Sequence, residues 1–196
     1  CSSAAQAVVY KSQITFSLVV YDFGVNYVGR EHAEHLVAAL ESLYDITTEW
    51  PGERFLGMTL KWDYTARTVD MSMPGYIEKA LLKFQHEPDR REQHSPHTWT
   101  APSYGQATQL TKPADTTAPL EAAGLTRLQK VIGTLLYYAC AIDSTMLVAL
   151  GTLASAQANG TEATAQAVPQ LLNYCATHPL PLIHISEPTR LRHTSY

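Results

Sequence analysis

Two things are scarce in this chain of 196 residues. Cysteine is the first: Cys1, Cys140 and Cys175 stand far apart with no C-x-x-C pair, so neither a disulfide framework nor a zinc site is expected. An excess of basic residues is the second. The net charge is -4, whereas proteins that hold nucleic acid through bulk charge carry a basic patch. The net charge thus gives no support for nucleic-acid binding. Because the cysteines are few and scattered, a reducing, intracellular setting is expected.

The opening residues and the longest apolar tract match neither a secretory signal nor a membrane span. The opening CSSAAQAVVYKSQ has no basic region followed by a long apolar segment, so it is not expected to be a secretory signal. The longest apolar tract, VIGTLLYYACAIDSTMLVALGTLASA, is interrupted by Asp143, Ser144 and Thr145. Two buried helices separated by an N-cap are predicted there rather than a membrane span. Because 45% of the residues are hydrophobic, a packed core is expected.

The first part of the chain is predicted to be rich in β-structure. Two short runs in residues 14–28, ITFSLVV and FGVNYV, predict a hairpin of buried strands with Tyr21 and Asp22 between them and Asp22 at the tip. An amphipathic helix over residues 30–46, REHAEHLVAALESLYDI, is predicted to pack on that sheet. The runs FLGMTLKW and TVDMSM predict a second hairpin around the turn DYTAR.

The second part of the chain predicts helices. Pro74 is placed to start a helix in PGYIEKALLKF, whose apolar stripe is Tyr76, Ala80, Leu81 and Phe84. Residues 86–119 are rich in Pro, His, Ser, Thr and Gln and predict a long loop or linker. The chain as a whole is therefore predicted to be α+β, with β-structure first and helices after.

Three helices are predicted after the linker. The first spans residues 124–141. The next is capped by Asp143, Ser144 or Thr145 and stops at the pair Asn159 and Gly160. The third covers residues 161–176 and is predicted to break or restart at Pro169.

Residues 181–196, PLIHISEPTRLRHTSY, are interpreted as foreign to the protein. They show neither helical nor strand periodicity. One reading frame of a common transposase-based sequencing adapter translates as LIHISEPTR, which is identical to residues 182–190. Adapter read-through is therefore predicted from about residue 181, and a natural polar tail is the alternative.

The histidines are interpreted as polar surface. His32 and His35 share a helical face with Glu31 and Glu34, but EHAEH matches neither H-E-x-x-H nor H-x-x-E-H, so a solvated face is favoured over a metal site. A second group lies in the Pro-rich linker without the spacing of metal ligands; its members are His86, His94 and His97.

Two further patterns receive structural interpretations. Asn159, Gly160 and Thr161 fit a glycosylation sequon, but a helix stop explains them fully. Tyr137 and Tyr138 are interpreted as core or interface aromatics. The role of Asp22 is left open at this point. It is structural if aspartate stands there only because it favours turns. It is a binding role if the charge binds something, because an unpaired charge between buried strands is costly.

The order of four segments decides the interpretation. They are the hairpin LVVYDFGVNYVG, the helix EHAEHLVAALESLYDI, the stretch FLGMTLKWDYTARTVDMSMPGYIEKALLKF and the helices of RLQKVIGTLLYYACAIDSTMLVALGTLASAQ. Together they resemble the reverse transcriptase of copia-type retrotransposons, which carries V-D-D at the first turn, F-L-G followed by S-x-x-x-Y-I-x-x-x-L-x-x-F, and V-G-x-L-x-Y helices. The resemblance covers about residues 14–178.

The resemblance implies a division of the chain into parts of a polymerase. Residues 1–13 are an N-terminal remnant. Residues 14–75 are the later half of the palm, with two hairpins and a packing helix, ending in the hairpin that grips the primer. Residues 76–85 are the first thumb helix, 86–119 a linker and 120–180 the helical thumb and connection. The chain is thus expected to be a fragment, with the fingers and a first metal-binding Asp upstream and RNase H downstream.

The resemblance also implies an activity and a defect. The family performs RNA-directed DNA synthesis, in which two Mg²⁺ ions held by carboxylates assist attack of the primer 3′-hydroxyl on a deoxynucleotide. Carried over by position, Asp22 is the second acid of the turn, a catalytic metal ligand, and Tyr21 replaces the first. A phenol, whose ordinary pKa is about 10, is a poor ligand for Mg²⁺, so the chain is expected to be inactive and its standing as an enzyme is left open.

The resemblance sets the expected surroundings and the alternatives. RNA or DNA template-primer and deoxynucleotides are the implied partners, no membrane is, and the location is a cytoplasmic particle or the nucleus. One alternative is a non-catalytic remnant that serves as a structural, nucleic-acid or protein interaction module. Another is a fragment that does not fold stably, because half a palm leaves an open sheet edge.

Overall fold

The computed structural model describes residues 5–10, 14–98, 115–179 and 183–186. The chain divides into two compact units: Cys1–Met71 with His184–Tyr196, called the sheet unit here, and Ser72–Ile183, the helical unit. The strands are β1 (Ala5–Tyr10), β2 (Ile14–Val19), β3 (Asp22–Tyr27), β4 (Arg54–Phe55), β5 (Met58–Asp63), β6 (Thr68–Ser72) and β7 (Ile183–Ser186). The helices are α1 (Arg30–Glu41), α2 (Tyr76–Lys83), α3 (Ala122–Ala141), a 3₁₀ turn (Ser144–Met146), α4 (Leu147–Ala156) and α5 (Glu162–Thr177). The predicted α+β class is confirmed.

The first sheet has the strand order β1-β2-β3, and both pairings are antiparallel. Strands β2 and β3 run in continuous register from Ile14 opposite Tyr27 to Val19 opposite Asp22, which confirms the predicted hairpin. The prediction for residues 1–13 was incomplete, since it included no strand and β1 pairs along β2. The run Ala-Val-Val-Tyr at residues 7–10 has the high β-propensity that accounts for this pairing.

The prediction that the hairpin strands are buried was wrong. Every side chain from Ile14 to Tyr27 is half-buried or exposed. On this sheet, the Phe16 and Phe23 rings lie 5.8 Å apart, and β3 contacts α1 and β4. A three-stranded sheet packed on one helix and a short strand has too little cover to bury both of its faces.

The second sheet has the order β4-β5-β6-β7. The predicted hairpin of β5 and β6 is confirmed, but its first run is not one strand. It folds back at Leu56 and Gly57, with φ angles of 53° and 73°, so that Phe55 pairs with Met58. Two successive positive φ angles are typical of a type I′ turn, and Leu56 is an uncommon residue at such a position, which is why the turn was not predicted.

The tail contains a strand, contrary to the prediction that it lacks strand periodicity. Residues Ile183–Ser186 form β7 at the edge of the second sheet. Ile183 and Ile185 alternate with polar residues, the pattern of a short strand. The predicted adapter origin is a separate matter and stays a prediction; residues 187–196 lie outside the described ranges.

In the helical unit, α2 begins at Tyr76, two residues later than the start predicted at Pro74. Gly75, at φ 74°, is its N-cap, and Pro74 lies just outside it. Ile77 is the buried residue of the first turn, with Ala80 and Phe84 continuing the stripe as predicted. Helix α5 passes through Pro169 without a break, contrary to prediction, because Pro169 is exposed while Val168, Leu171 and Leu172 hold both flanking turns in the core.

The connections between the last helices follow the prediction closely. Asp143 caps the 3₁₀ turn before α4 by accepting from the Thr145 amide, and Thr161 forms a capping box with Thr164 at the start of α5. Gly160 is buried where a Cβ would approach Leu120, Leu125 and Leu128 within 3.2 Å. Within the described ranges, no helix combines the length and the apolar character needed to cross a membrane.

Candidate functional site

The candidate site is the turn between β2 and β3. The turn consists of Val20 and Tyr21, and Asp22 is the first residue of β3. The prediction that Asp22 forms the tip was therefore wrong by one position, because a two-residue loop suits the twist of paired strands and draws Asp22 into the ladder. Tyr21 is the tip, 92% exposed.

Asp22 is exposed to solvent. A solvated carboxylate has no burial cost that a ligand must offset, so burial provides no support for a binding role at this position. Asp22 was expected to lie between buried strands, but the strands of the hairpin are themselves only half-buried or exposed. What points to chemistry at Asp22 is its place in the chain.

The described residues do not by themselves provide a two-magnesium site. In those ranges, no three His, Cys, Asp or Glu side chains come together in a way that could hold a metal ion. Magnesium prefers several oxygen ligands in an octahedral arrangement. Asp22 offers one carboxylate, and a phenol, which is what Tyr21 offers, is a poor substitute for a second one.

An aromatic and cationic cluster fixes the end of β3 to the start of α1. The Arg30 guanidinium lies 4.5 Å from the centre of the Trp50 ring, and Tyr27 meets the same ring edge-on at 6.3 Å. Arg30 also donates to Glu34 Oε1 at 2.9 Å. This cluster was not predicted, because Trp50 lies in a loop where periodicity carries no signal.

The two histidines of α1 match their interpretation as polar surface. His35 is exposed, and His32 is half-buried with its Nε2 3.7 Å from Glu31 Oε1. The apolar stripe that α1 turns away from solvent is centred on Ala33, which is 3% exposed. The helix predicted over residues 30–46 was too long, since α1 ends at Glu41 and Leu43 lies beyond that end, 75% exposed.

Residues 86–98, here called the strap, form the predicted loop, since they contain neither helix nor strand. They are held against α5 by hydrogen bonds. His86 Nε2 lies 2.7 Å from Asn173 Oδ1 on α5, and the Gln93 amide donates to Thr177 Oγ1 at 2.9 Å. Thr98 Oγ1 donates to Gln170 Oε1 at 2.7 Å. The strap is thus fastened along α5 by side chains that no sequence pattern pairs; the rest of the predicted linker, residues 99–114, lies outside the described ranges.

Asn173 is the central partner of the strap. Its Nδ2 donates to Asp89 Oδ2 at 2.6 Å, and its Oδ1 also accepts from the Asp89 amide at 3.2 Å. Asn173 is 8% exposed, so these bonds satisfy an amide that would otherwise be buried at a cost. Of the other predicted linker histidines, His94 lies beside His178 and His97 is half-buried.

A buried polar cluster lies where α3 meets α4 and α5. Asp143, 5% exposed, accepts from Thr145 Oγ1 and from Tyr174 Oη, the latter at 3.3 Å. Burial, with a smaller contribution from Asp143, raises the pKa of Cys175 to about 12. Burial also raises the pKa of Tyr138 and of Tyr174. A buried thiol whose pKa is raised stays protonated at neutral pH, so Cys175 is a structural residue rather than a nucleophile.

Tyr137 and Tyr138 have different environments. Tyr138 is 1% exposed and its ring stacks on that of Tyr76 with centroids 5.3 Å apart, which confirms a core position. Tyr137 is 44% exposed.

Comparisons with known proteins leave the chain unassigned. No family model matches it, and no curated protein or solved structure is significantly similar to it. The function must therefore be argued from the chain's own residues and from the order of its elements.

Proposed function

We propose that this chain is part of a copia-type reverse transcriptase, an RNA-directed DNA polymerase. One observation carries the proposal: the hairpin of β2 and β3 has a two-residue turn directly followed by Asp22. Helix α1, the hairpin of β5 and β6, and α2 follow in the order of the resemblance. In this proposal residues 14–75 belong to the palm, and residues 76–85 and 120–180 to the thumb and connection.

The same proposal holds that the chain is inactive as it stands. When bound, paired Mg²⁺ ions would supply activation of the primer hydroxyl and stabilisation of the leaving oxygen. Asp22 offers one ligand for such ions, and Tyr21 occupies the position of the neighbouring acid. Template-primer and deoxynucleotides remain the proposed partners of the intact enzyme.

Primer extension tests the inactivity directly. The chain is mixed with poly(rA)/oligo(dT), deoxythymidine triphosphate and Mg²⁺, and incorporation is measured. We expect no incorporation above that of a Asp22→Asn variant. Robust synthesis that depends on Asp22 would overturn the inactivity while supporting the polymerase assignment.

Residue exchange in a working enzyme tests the assignment of Tyr21. In a full-length copia-type reverse transcriptase, the acid at the position equivalent to Tyr21 is replaced by Tyr. We expect loss of nearly all extension, because removal of a metal-binding carboxylate removes transition-state stabilisation. Phe and Asn at that position serve as controls for size and for charge. Equal rates with Asp and Tyr would show that Tyr21 is harmless.

A second candidate function is a non-catalytic interaction module that docks nucleic acid. One observation favours it: Trp62 and Tyr64 stack at 6.1 Å with ring planes 10° apart, although they are 45% and 80% exposed. Nucleobases stack on such platforms regardless of sequence. The net charge of -4 opposes it, because phosphate contacts supply most of the affinity of nucleic-acid binders.

Filter binding of single-stranded oligonucleotides discriminates this candidate. At about 50 mM salt, binding that falls with rising salt and is lost in Trp62→Ala and Tyr64→Ala supports nucleic-acid docking. The exposed Tyr44→Ala variant is the matched control. Absence of binding at that salt concentration would reject this candidate and leave the polymerase proposal unaffected.

A further inference from the structure

We propose that His94 on the strap and His178 at the end of α5 form a binding site for a divalent transition-metal ion. The ion would fasten the strap to α5. The proposal concerns the helical unit alone and does not depend on the polymerase assignment.

The distance between the two imidazoles fits one shared ion. His94 Nδ1 lies 3.2 Å from His178 Nε2. Two nitrogen ligands of a tetrahedral Zn²⁺ ion, with bonds of about 2.0–2.1 Å, are about 3.4 Å apart. A 90° angle at the metal brings them to about 2.9 Å. The observed separation lies between these values, so small ring rotations suffice.

Glu92 prepares the His94 ring for metal binding. Its Oε2 lies 3.3 Å from His94 Nε2, the nitrogen that faces away from His178. A carboxylate at that place holds the proton on Nε2 and leaves the lone pair on Nδ1, the arrangement of carboxylate, histidine and metal seen in zinc proteins. In the metal-free chain one hydrogen bond joins His94 Nδ1 and His178 Nε2, and the tautomers decide which of them donates. When the ion binds, the nitrogen that carries this proton releases it to solvent, and the other nitrogen of the same ring takes one up.

The second ligand is held in place by α5. The backbone amide of His178 donates to the Tyr174 carbonyl at 2.9 Å, and the Tyr174 ring lies 4.9 Å from the His178 ring. The hydrogen bond from the Gln93 backbone amide to Thr177 Oγ1 brings the strap to the same helical turn. The backbone at both ends of the site is therefore held by contacts other than the one between the two rings, and less ordering entropy opposes binding.

The donor set defines the class of ion. Imidazole nitrogen suits Zn²⁺, Ni²⁺ and Cu²⁺ and is a poor ligand for Mg²⁺ or Ca²⁺. The described part of the chain adds no third His, Cys, Asp or Glu to this pair, so water completes the coordination. A site with two protein ligands is expected to be weaker than a structural zinc site and exchangeable.

Calorimetric titration of the untagged chain tests the site. The accessible thiols, Cys140 among them, are first alkylated in the folded chain, which leaves the buried Cys175 unmodified. Ni²⁺ and Zn²⁺ are then titrated separately, with Mg²⁺ as a third run. We expect one saturable Ni²⁺ or Zn²⁺ site per chain and no heat from Mg²⁺. His94→Gln and His178→Gln should each weaken binding at least tenfold, and Glu92→Gln by a smaller factor, whereas the exposed His35→Gln variant should bind as the parent does.

Trypsin cleavage after Arg90 and Arg91, both exposed on the strap, gives a second readout. Zn²⁺ should slow cleavage there at least threefold in the parent and in His35→Gln, but not in His94→Gln. Circular dichroism of each variant establishes that α5 is still folded. The proposal would be overturned if His94→Gln and His178→Gln both kept the parental metal affinity. It would also be overturned if His35→Gln lost as much affinity as they do.

Discussion

The sheet unit and the helical unit differ sharply in how well they cover their apolar side chains. Among the described residues, Ala33 and Met58 are the buried hydrophobic residues of the sheet unit, and all the others belong to the helical unit. Conversely, the sheet unit exposes Val20, Tyr21, Val28, Leu43 and Tyr44 by more than 60% each. Most of the hydrophobic stabilisation, which scales with buried apolar area, therefore lies in the helical unit.

The difference follows from how each unit is assembled. Helices α3, α4 and α5 contact one another and together enclose Leu135, Met146 and Leu150, all 0% exposed. The strands of the sheet unit present two faces, and α1 offers one narrow apolar stripe against them. Stable independent sheets need a covered hydrophobic face, so the sheet unit is the less stable of the two by this reasoning.

The largest test of that comparison is truncation of a core leucine. Leu135→Ala should lower the free energy of unfolding by about 2–5 kcal/mol, because it removes buried methyl groups and leaves a cavity. Leu36→Ala on α1, where the side chain is only half-buried, should cost less than half as much. Urea unfolding followed by circular dichroism at 222 nm measures both. Equal costs would show that the sheet unit has a core as well packed as that of the helical unit.

Alkaline pH is expected to lower the free energy of unfolding of the helical unit, and this is the second-largest effect. The pKa of Cys175 is raised from 9.0 to about 12, so the folded state keeps this proton more tightly than the unfolded state. The resulting stability is present below pH 9 and is lost as the pH rises towards 12, at about 1.4 kcal/mol per unit of pKa difference. The raised pKa values of Tyr138 and Tyr174 act in the same direction above pH 10.

Two alanine variants isolate the thiol in that experiment. Cys175→Ala should show a shallower loss of unfolding free energy between pH 9 and 12 than the parent, even if its stability at pH 7 is lower. Cys140→Ala, which removes an exposed thiol, should keep the parental slope. Parallel slopes for all three proteins would rule out buried Cys175 as a source of the pH dependence.

Removal of the Asp143 cap should have an intermediate effect. Asp143→Ala removes the acceptor for the Thr145 amide and for Tyr174 Oη, which should cost about 1–3 kcal/mol. Asp143→Asn keeps one acceptor oxygen and should cost less. Asp45→Ala, in an exposed loop of the sheet unit, should change the unfolding midpoint little. An Asp143→Ala protein as stable as Asp45→Ala would mean that the cluster contributes nothing net.

The elements that could be predicted from sequence are those whose signal is local. Helices α1, α3 and α5 follow from apolar periodicity, and Asp143 and Thr161 mark helix starts through cap chemistry. What was missed depends on partners far along the chain. Strands β1 and β7 need a sheet edge to join, and the strap is defined by bonds such as that between His86 and Asn173, which no spacing in the sequence indicates.

The position of the turn at the candidate site was predicted to within one residue, for a related reason. The β-branched and aromatic runs on either side locate the reversal, but strand pairing decides that Val20 and Tyr21 form the turn. Exposure of the hairpin could not be predicted, because identical runs occur in strands buried on both faces. Resemblance supplies the roles of Tyr21 and Asp22, and those roles stay predictions.

The smallest expected effect lies in this turn and has the opposite sign. Val20 has φ 56°, a left-handed conformation that is strained for a β-branched residue. Val20→Asn should raise the unfolding free energy of the sheet unit by about 1 kcal/mol, because Asn tolerates this conformation without the extra flexibility of Gly.

Val28→Asn is the matched control for Val20→Asn. The two valines are similarly exposed, 68% and 71%, but Val28 is not among the residues with positive φ. Urea unfolding followed by tryptophan fluorescence measures the pair, in a Trp99→Phe background so that the signal comes from Trp50 and Trp62 of the sheet unit. We expect Val28→Asn to stay within about 0.5 kcal/mol of the parent. If Val20→Asn were no more stable than Val28→Asn, the turn would hold no strain, and the low stability inferred for the sheet unit would rest on its poor burial alone.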